Sequence, residues 1–380
     1  MPRTTDHAPP TAAYIHVPFC AHHCGYCDFA VTAGQDHLMD LYLEALAVEL
    51  ATLGEPAPVQ TIFIGGGTPT YLAAPQLERL LRTLNQWLPL LPGGEFSVES
   101  TPDSLDDDRV ALLAVHGVNR VSIGAQSFHP HLLRVLERIH NPEDVPRAVE
   151  CVRRKIGRLS LDLIFGVPGQ TLAEWDADLQ RTIALAPEGV ATYGLTFEKG
   201  TPLWKQRERG SVQSLDEDAE LVQYEHAIDT LAAAGYEHYE LSNFARPGQR
   251  CRHNEVYWAN EPYHGFGVGA ASYVNGTRKL NVRDTRQYIK RVLAGESAAF
   301  QAETLNPEEH ARETLVVQLR RADGVERAVF RARTGFDLDA LAGAALSRHV
   351  ELGMLTDDGR HVRLTRRGKC VADAVVTALL

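Results

Sequence analysis

Three cysteines near the start of the chain, Cys20, Cys24 and Cys27, have the spacing C-x3-C-x2-C. Thiolate sulfur is the ligand that iron–sulfur clusters use in proteins. Three thiolates can hold three irons of a [4Fe-4S] cube, which leaves the fourth iron without a ligand from this segment. An iron with an open position can bind a small molecule. The spacing therefore predicts a cluster that serves as a catalyst or a sensor rather than as a simple electron carrier.

Other interpretations of the cysteines are open. The three thiols with His22 or His23 could form a structural zinc site, which requires four nitrogen or sulfur ligands. A zinc ribbon usually carries a second C-x2-C pair, whereas Cys151, Cys251 and Cys370 stand alone. A disulfide framework is typical of short secreted chains and not of a chain of 380 residues. The spacing favours the iron–sulfur cluster.

Short β-rich runs alternate with helical stretches up to about residue 197. The predicted strands cover residues 13–19, 60–65, 96–99, 120–124, 159–166 and 190–197. The predicted helices cover residues 36–53, 75–88, 104–116, 142–155 and 172–186. Strand and helix in alternation predict a parallel sheet with right-handed crossovers, either doubly wound or curved into a partial barrel.

Residues that could do chemistry fall at or near the C-terminal ends of these strands, where barrel enzymes place their active sites. They are Cys20, the turn Gly65-Gly66-Gly67-Thr68, Glu99, Gln126 and Asp162. Their placement favours an incomplete (β/α) barrel over a doubly wound sheet.

The glycine-rich turn after the second strand continues into Pro69. Glycines without Cβ atoms let a ligand press against backbone amide and carbonyl groups, although a plain tight turn has the same composition. The turn lacks both G-x-G-x-x-G and the Lys-Ser/Thr of a P-loop, so it predicts neither a dinucleotide fingerprint nor a phosphate loop.

Four polar residues, Glu99, Gln126, Arg138 and Asp162, lie in or beside the predicted strands. A charged side chain inside a barrel needs a partner, and structural salt bridging would explain Arg138 and Asp162. A ligand with an amino acid end and ribose hydroxyls would use the same groups, because carboxylates bind ammonium and hydroxyl groups while Arg binds carboxylate.

The composition is that of an ordinary globular protein, with 44% hydrophobic and 23% charged residues. A net charge of −11 argues against a surface that binds nucleic acid as a whole. The sequence has no apolar run that could span a bilayer and no signal-peptide pattern, so we expect a cytoplasmic protein. A basic run near the C-terminus could touch phosphates, although a solvated face is the more common explanation. Its members are Arg360, Arg363, Arg366, Arg367 and Lys369.

Beyond about residue 236 the alternation fades into a stretch rich in glycine and aromatic residues, which extends to residue 281. It contains His253-Asn254-x-x-Tyr257-Trp258. Histidine is a common iron ligand and the rings could pack on a flat macrocycle, but a turn with aromatic packing into the core is the more common explanation. From residue 306 a helical pattern, a hairpin (352–355 and 361–365) and a last helix (368–380) predict a winged-helix-like domain.

Taken together, these residues resemble the radical S-adenosylmethionine (SAM) superfamily. Over nearly its whole length the chain is similar to the oxygen-independent coproporphyrinogen III oxidase group, as seen in segments 14–20, 65–71 and 162–171. The oxidase branch of that group has a fourth cysteine where this chain has Phe29, and an N-terminal extension where this chain has about a dozen residues. The heme chaperone branch carries H-N-x-x-Y-W, which is present here from His253 to Trp258. Both differences favour the chaperone branch.

The resemblance implies a partial (β/α)6 radical SAM barrel with a small C-terminal winged-helix-like α+β domain. It also implies that Cys20, Cys24 and Cys27 hold a [4Fe-4S] cluster and that His253 contacts heme. The residues that match SAM-contacting positions are Tyr14, Tyr26, Gly66, Gly67, Thr68, Glu99, Gln126, Arg138 and Asp162. Tyr26 is a mild departure, since phenylalanine is frequent at its position.

The implied organisation is a flexible N-terminus (residues 1–12), the barrel (13–235), a connecting region with the H-N-x-x-Y-W motif (236–300) and the C-terminal domain (301–380). The implied function is heme binding and delivery of heme to a membrane respiratory enzyme, with no catalytic residue assigned and an electron donor as a further partner. The alternative is radical oxidative decarboxylation of coproporphyrinogen III in porphyrin biosynthesis.

Overall fold

The computed structural model describes residues 9–380. The strands, in chain order, are β1 (Ala12–Val17), β2 (Phe19–Cys20), β3 (Thr32–Ala33), β4 (Val59–Gly66), β5 (Leu90–Ser100), β6 (Arg120–Gln126), β7 (Leu159–Phe165), β8 (Gly189–Gly194), β9 (Glu237–His238), β10 (Asn243–Ala245), β11 (Tyr263–Phe266), β12 (Ala271–Val274), β13 (Thr277–Asn281), β14 (Ala299–Thr304), β15 (Val325–Glu326), β16 (Leu355–Asp357) and β17 (His361–Leu364).

The α-helices are α1 (Met39–Ala51), α2 (Ala74–Trp87), α3 (Asp107–Val115), α4 (Pro130–Val135), α5 (Asp144–Arg153), α6 (Leu172–Ala184), α7 (Pro202–Glu208), α8 (Glu217–Ala233), α9 (Arg252–Trp258), α10 (Thr285–Leu293), α11 (Pro307–Gln318), α12 (Arg327–Thr334), α13 (Leu338–Glu351), α14 (Arg366–Cys370) and α15 (Ala372–Thr377). Short 3-10 turns precede α1, α2 and α3.

Six parallel strands form the centre of the fold, in the order β1-β4-β5-β6-β7-β8. Most of their residues are buried, as expected of parallel strands that are covered on both faces. In β7 every residue is buried except Asp162, which is half-buried. The predicted partial (β/α)6 barrel is therefore confirmed. Five of its strands were predicted within about three residues of their observed bounds, whereas β5 begins at Leu90, six residues before its predicted start.

The helices between these strands begin where side chains cap them. Asp106 accepts a hydrogen bond from the backbone N–H of Arg109 at the start of α3, and Thr171 with Glu174 forms a capping box at the start of α6. The fully buried Trp175 of α6 packs on Phe165 of β7. Helices α4, α7 and α8 were not predicted.

The sheet extends beyond the barrel strands on both sides. On one side β11 pairs in parallel with β1 and leads into the antiparallel strands β12, β13 and β14. On the other side β10 and β9 continue from β8 in antiparallel fashion. The strand–helix alternation does fade after residue 236, as predicted, and most of the later strands join the same sheet as short antiparallel ribbons. The domain divisions at 235 and 300 remain predictions.

The predicted flexible segment 1–12 falls largely outside the described residues, which begin at Pro9. At its end the carbonyl of Thr11 accepts a backbone hydrogen bond from Gln60 at 2.7 Å, and β1 begins at Ala12.

The C-terminal part, α11 to α15 with the small sheet β15-β17-β16, has an apolar core of its own around Leu315, Phe330 and Leu346. Asn306 caps α11, and the predicted hairpin is present as β16 and β17. The helices and the short sheet agree with the predicted winged-helix-like domain. The predicted last helix, 368–380, is wrong in detail: it is two short helices, since Val371 between them has a non-helical φ of −128°.

The basic run near the C-terminus is largely paired with acidic side chains. Arg360 pairs with Glu326 at 3.1 Å and Arg363 with Asp358 at 2.9 Å. Arg366 reaches across to α8, where it lies 2.5 Å from Asp229 and 3.3 Å from Glu225. A further member, Lys369, lies 3.2 Å from the ring of His238. Most of the positive charge of the run is therefore used inside the protein and against the barrel.

Candidate functional site

A cavity of about 590 Å³ opens at the C-terminal ends of the parallel strands. Its volume lies in the usual range for small-molecule sites, roughly 300 to 1,000 Å³. The three cysteines of the C-x3-C-x2-C motif line it, together with eight of the nine predicted SAM contacts. Those eight are Tyr26, Gly66, Gly67, Thr68, Glu99, Gln126, Arg138 and Asp162. The barrel thus brings the predicted site residues together from β2, β4, β5, β6, β7 and the loops after them.

The loop that carries the cysteines is held from both sides. On one side Gly25 donates a backbone hydrogen bond to Leu136 and accepts one from Leu203, so the loop rests on the residue after α4 and on the first turn of α7. On the other side the guanidinium of Arg283 donates to the carbonyl of Asp28 and lies 3.4 Å from its carboxylate. The hydroxyls of Thr32 and Thr285 are 2.7 Å apart. The folded chain, and not the loop alone, therefore fixes the cysteines.

The three thiols are half-buried and free, and two of them face hydrogen-bond donors. The hydroxyl of Thr68 donates to Sγ of Cys20 at 3.6 Å, and Nη1 of Arg138 donates to Sγ of Cys24 at 3.5 Å. Burial raises the pKa of the Cys20 thiol to about 12 and that of Cys27 to about 11. A bound metal deprotonates a coordinating thiol, and these donors would then face negative sulfur. The donor set suits thiolate ligation of a cluster. Within residues 9–380, no group of three His, Cys, Asp or Glu side chains is arranged so that it could hold a single metal ion.

The glycine turn owes its composition to close packing. A Cβ on Gly66, whose φ is +105°, would lie 2.4 Å from the His16 ring. A Cβ on Gly67 would lie 2.7 Å from the backbone of Pro18 and Phe19, and one on Gly65 would lie 2.7 Å from the carboxylate of Glu99. The glycines therefore let β4 end directly against the cysteine loop and Glu99, while the turn still lines the cavity.

Two carboxyl groups, those of Glu99 and Asp162, project into the barrel. Glu99 accepts a hydrogen bond from the N–H of Gly66 at 3.1 Å, and Asp162 accepts one from the hydroxyl of Ser122 at 3.0 Å. Burial raises the pKa of Glu99 to about 7, with repulsion from Asp162 adding to it, and burial raises the pKa of Asp162 to about 6. A cationic or hydroxyl-bearing ligand at these carboxylates would relieve that cost.

Arg138 and Gln126 complete the polar wall. Arg138 uses Nη2 to donate to the carbonyl of Gly124 at 2.9 Å, while its buried Nε has no partner among the described residues. Gln126 has a φ of 63°, a left-handed conformation that is uncommon outside glycine, at a register shift between β6 and β7. An unpaired guanidinium N–H suits a carboxylate, and a backbone strained at a cavity wall is typical of binding sites.

Tyr14, the ninth predicted SAM contact, lies behind the cavity wall. Its hydroxyl is 3.1 Å from Nδ1 of His16, and its ring stacks on Phe63 with centroids 6.3 Å apart. Burial, with a contribution from nearby Glu99, raises the pKa of Tyr14 well above its usual value. In this structure Tyr14 therefore packs on Phe63 and contacts His16 rather than lining the cavity.

His253, the predicted heme contact, is a core residue with 1% exposure. Its Nδ1 lies 2.9 Å from the hydroxyl of Thr61, and its Nε2 lies 2.8 Å from the hydroxyl of Tyr257. The ring stacks on Phe63 at 5.2 Å. Burial lowers the pKa of His253 to about 3. Both ring nitrogens are engaged, which matches the packing explanation of the motif, so ligation of iron would require α9 to rearrange.

Several cavity residues were not predicted from the sequence. Phe29, Ile139 and Tyr193 surround the opening, and Tyr71 and Asp103 line one wall. A large apolar residue two positions after the cysteine motif could have pointed to Phe29. The others come from loops whose approach to the cavity depends on the strand order.

Two segments of the chain match known protein families, and nearly the whole chain is similar to named proteins. Residues 14–182 match the model of the radical SAM superfamily, and residues 305–371 match that of the HemN C-terminal domain. The chain is 37% identical over 376 residues to the heme chaperone HemW of Bacillus subtilis, covering 97% of this chain and 99% of that protein. It is 35% identical to HemW of Lactococcus lactis, covering 94% of each.

The chain belongs to the HemW family. Its fold is also that of a HemW relative of known structure, the coproporphyrinogen III oxidase HemN of Escherichia coli, with a TM-score of 0.86 at 22% identity over 98% of this chain and 90% of that one. None of the helices in the described part of the chain has the length and apolar character needed to cross a bilayer.

Proposed function

We propose that this chain is a heme chaperone that carries a [4Fe-4S] cluster and SAM and delivers heme to respiratory membrane enzymes. The observation that carries the proposal is the similarity over nearly the full chain to proteins named heme chaperone HemW. The cavity with three thiols and four polar side chains supports the cofactor part of the proposal. The six cysteines are free thiols, which suits action in the reducing cytoplasm.

Different cavity residues would bind the cluster and SAM. Cys20, Cys24 and Cys27 would hold three irons of the cluster, with Thr68 and Arg138 donating to sulfur. The free Nε of Arg138 suits the carboxylate of SAM. When bound, the cluster and SAM supply one-electron chemistry. An electron donor for the cluster is a further partner in this proposal.

The remaining predicted contacts would surround SAM. Glu99 and Asp162 would accept hydrogen bonds from ammonium or ribose hydroxyl groups, because both are carboxyl groups without a salt-bridge partner within 4 Å among the described residues. Gln126, Gly66, Gly67 and Tyr26 would contribute backbone and side-chain surface. Tyr14 would act through Glu99.

The family motif implies a heme contact at His253, a role that the packing of this residue makes costly. To serve as a ligand it would give up hydrogen bonds to Thr61 and Tyr257 and its stacking on Phe63. Each hydrogen bond is worth about 1 kcal/mol net, so the rearrangement is costly but within reach of a metal–ligand bond.

The test is reconstitution of the cluster without oxygen, followed by titration of heme with and without SAM. We expect roughly four irons per chain and a Soret band that saturates at one heme per chain. Transfer is then tested by mixing the loaded protein with membranes that contain a heme-free respiratory enzyme. A reconstituted protein that binds no heme would contradict the proposal.

Oxidative decarboxylation of coproporphyrinogen III is the second candidate, since the chain shares the fold of HemN. Phe29 stands where the oxidase has a fourth cysteine. The assay is incubation of the reconstituted protein with SAM, reductant and coproporphyrinogen III. Accumulation of protoporphyrinogen would replace the chaperone proposal with this one.

A further inference from the structure

Packed aromatic side chains leave no room for a macrocycle in the interior of the barrel. Below the cavity the rings of Tyr14, Phe63 and His253 stack in series, with centroid distances of 6.3 and 5.2 Å. Tyr257 packs edge-on against His253 at 4.9 Å and against Tyr263 at 4.6 Å. The cavity above them, about 590 Å³, has to accommodate the cluster and SAM. A flat ligand as large as heme therefore needs a surface outside the barrel.

The opening of the cavity provides apolar surface. Phe29 is 68% exposed, Ile139 is 57% exposed and Tyr193 is 44% exposed, and all three line the same cavity. Large apolar side chains normally turn away from water, and a group of them around an opening is typical of ligand or partner sites.

An unengaged imidazole lies at the same opening. His22 is exposed, lines the cavity and forms no hydrogen bond or ion pair within the described part of the chain. The neighbouring His23 differs, because its Nε2 is bonded to the carbonyl of Cys27 at 3.0 Å. Neutral imidazole is a common axial ligand of heme iron. His22 can therefore bind iron without breaking any contact that the structure contains.

We propose that heme docks across the mouth of the barrel, with its macrocycle against Phe29 and Ile139 and its iron ligated by His22. This inference rests on the proposed function and specifies where the cargo is held. It places heme at the solvent boundary, where a recipient protein can reach it. It also leaves His253 as a packing residue that keeps the base of the barrel closed.

The experiment is titration of the cluster-loaded protein with heme, followed by the Soret band, for the wild type and single variants. His22→Ala should weaken heme binding at least ten-fold and shift the Soret maximum, while Phe29→Ser should weaken binding several-fold without the shift. His23→Ala is the matched control and should bind as the wild type does. Added imidazole should restore the wild-type Soret maximum in His22→Ala, which a purely structural role of His22 would not allow.

The outcomes separate the two proposals. Failure of the wild type to bind heme contradicts the chaperone function itself. Wild-type heme affinity and Soret maximum in His22→Ala overturn the mouth site, and loss of binding in His253→Ala alone would assign the ligand to α9 instead. Iron content is measured for each variant. If His22→Ala loses its cluster, the test rests on Phe29→Ser and Ile139→Ser. Unchanged heme affinity in both of these variants overturns the mouth site.

Discussion

Nη1 of Arg138 lies 3.5 Å from Sγ of Cys24, so one guanidinium contacts a predicted cluster ligand while its buried Nε has no partner among the described residues. The same side chain also donates to the carbonyl of Gly124. Arg138 thus joins the cysteine loop, strand β6 and the space in which SAM would lie.

The first prediction concerns this shared guanidinium. Arg138→Lys keeps the charge but loses the planar fork, so we expect SAM affinity to fall ten- to a hundred-fold, the worth of one or two charged hydrogen bonds. The measurement is equilibrium binding of SAM to the cluster-loaded protein, with iron content determined in parallel. The control is Arg134→Lys, at an exposed arginine on α4 whose side chain forms no hydrogen bond or ion pair within residues 9–380. Unchanged SAM affinity in Arg138→Lys would remove Arg138 from the site.

The second prediction separates backbone from side chain at Gln126. Gln126→Gly relieves the left-handed φ of 63°, so the thermal midpoint should hold or rise, while SAM affinity falls because the side chain is lost. Ala186→Gly, at a φ of 47° after α6, is the matched control. It should raise the free energy of unfolding by up to about 1 kcal/mol and leave SAM affinity unchanged. Equal SAM affinity in Gln126→Gly and the wild type would show that the side chain is not a contact.

The third prediction concerns pH. Burial raises the pKa of Glu99 from 4.5 to about 7, so between these values the folded protein holds a proton that the unfolded chain has released. The free energy of unfolding therefore falls as pH rises from about 4.5 to 7, by on the order of 3 kcal/mol from this group. Asp162 contributes with the same sign, since its pKa is raised to about 6.

Thermal denaturation of the cluster-free protein at pH 5 and pH 8 measures this effect. Glu99→Gln should reduce the loss of thermal midpoint between the two pH values. An identical loss in the variant would show that Glu99 is already ionised in the folded protein.

The fourth prediction concerns the link between the C-terminal domain and the barrel. Arg366→Ala removes ion pairs with Asp229 and Glu225, which are partly exposed, so the loss of stability should be about 1 kcal/mol or less. Hydrogen exchange of α8 should become faster, and the difference should shrink in high salt. Arg367→Ala, whose guanidinium only approaches the carbonyl of Leu352 at 3.5 Å, is the control. Exchange of α8 that does not respond to Arg366→Ala would rule out this link.

The barrel strands could be predicted because their signal is local. Each contains a short β-rich run, and β7 was recognisable even with Asp162 in the middle. The strands β11 to β14 were not, because pairing β11 with β1 joins residues some 250 positions apart and leaves no periodic pattern in the sequence. Helix α8 was missed although Asp216 caps it, since its apolar residues form only a narrow face.

The candidate site shows the same division. Cysteine spacing and polar residues at strand ends led to the cavity walls, because the chemistry of those residue types is independent of the fold. The roles of His22 and His253 could not be distinguished in this way. One imidazole is exposed and the other is engaged at both nitrogens, which depends on packing that only the folded chain defines.

The hydrogen bond from Arg283 to the carbonyl of Asp28 joins residues 255 positions apart. At translation rates of about 5 to 20 residues per second, Arg283 is synthesised roughly 10 to 50 seconds after the cysteines. Throughout that interval, the side of the cysteine loop that Arg283 contacts has no partner. The site of the proposed cluster is therefore complete only once most of the polypeptide has been made.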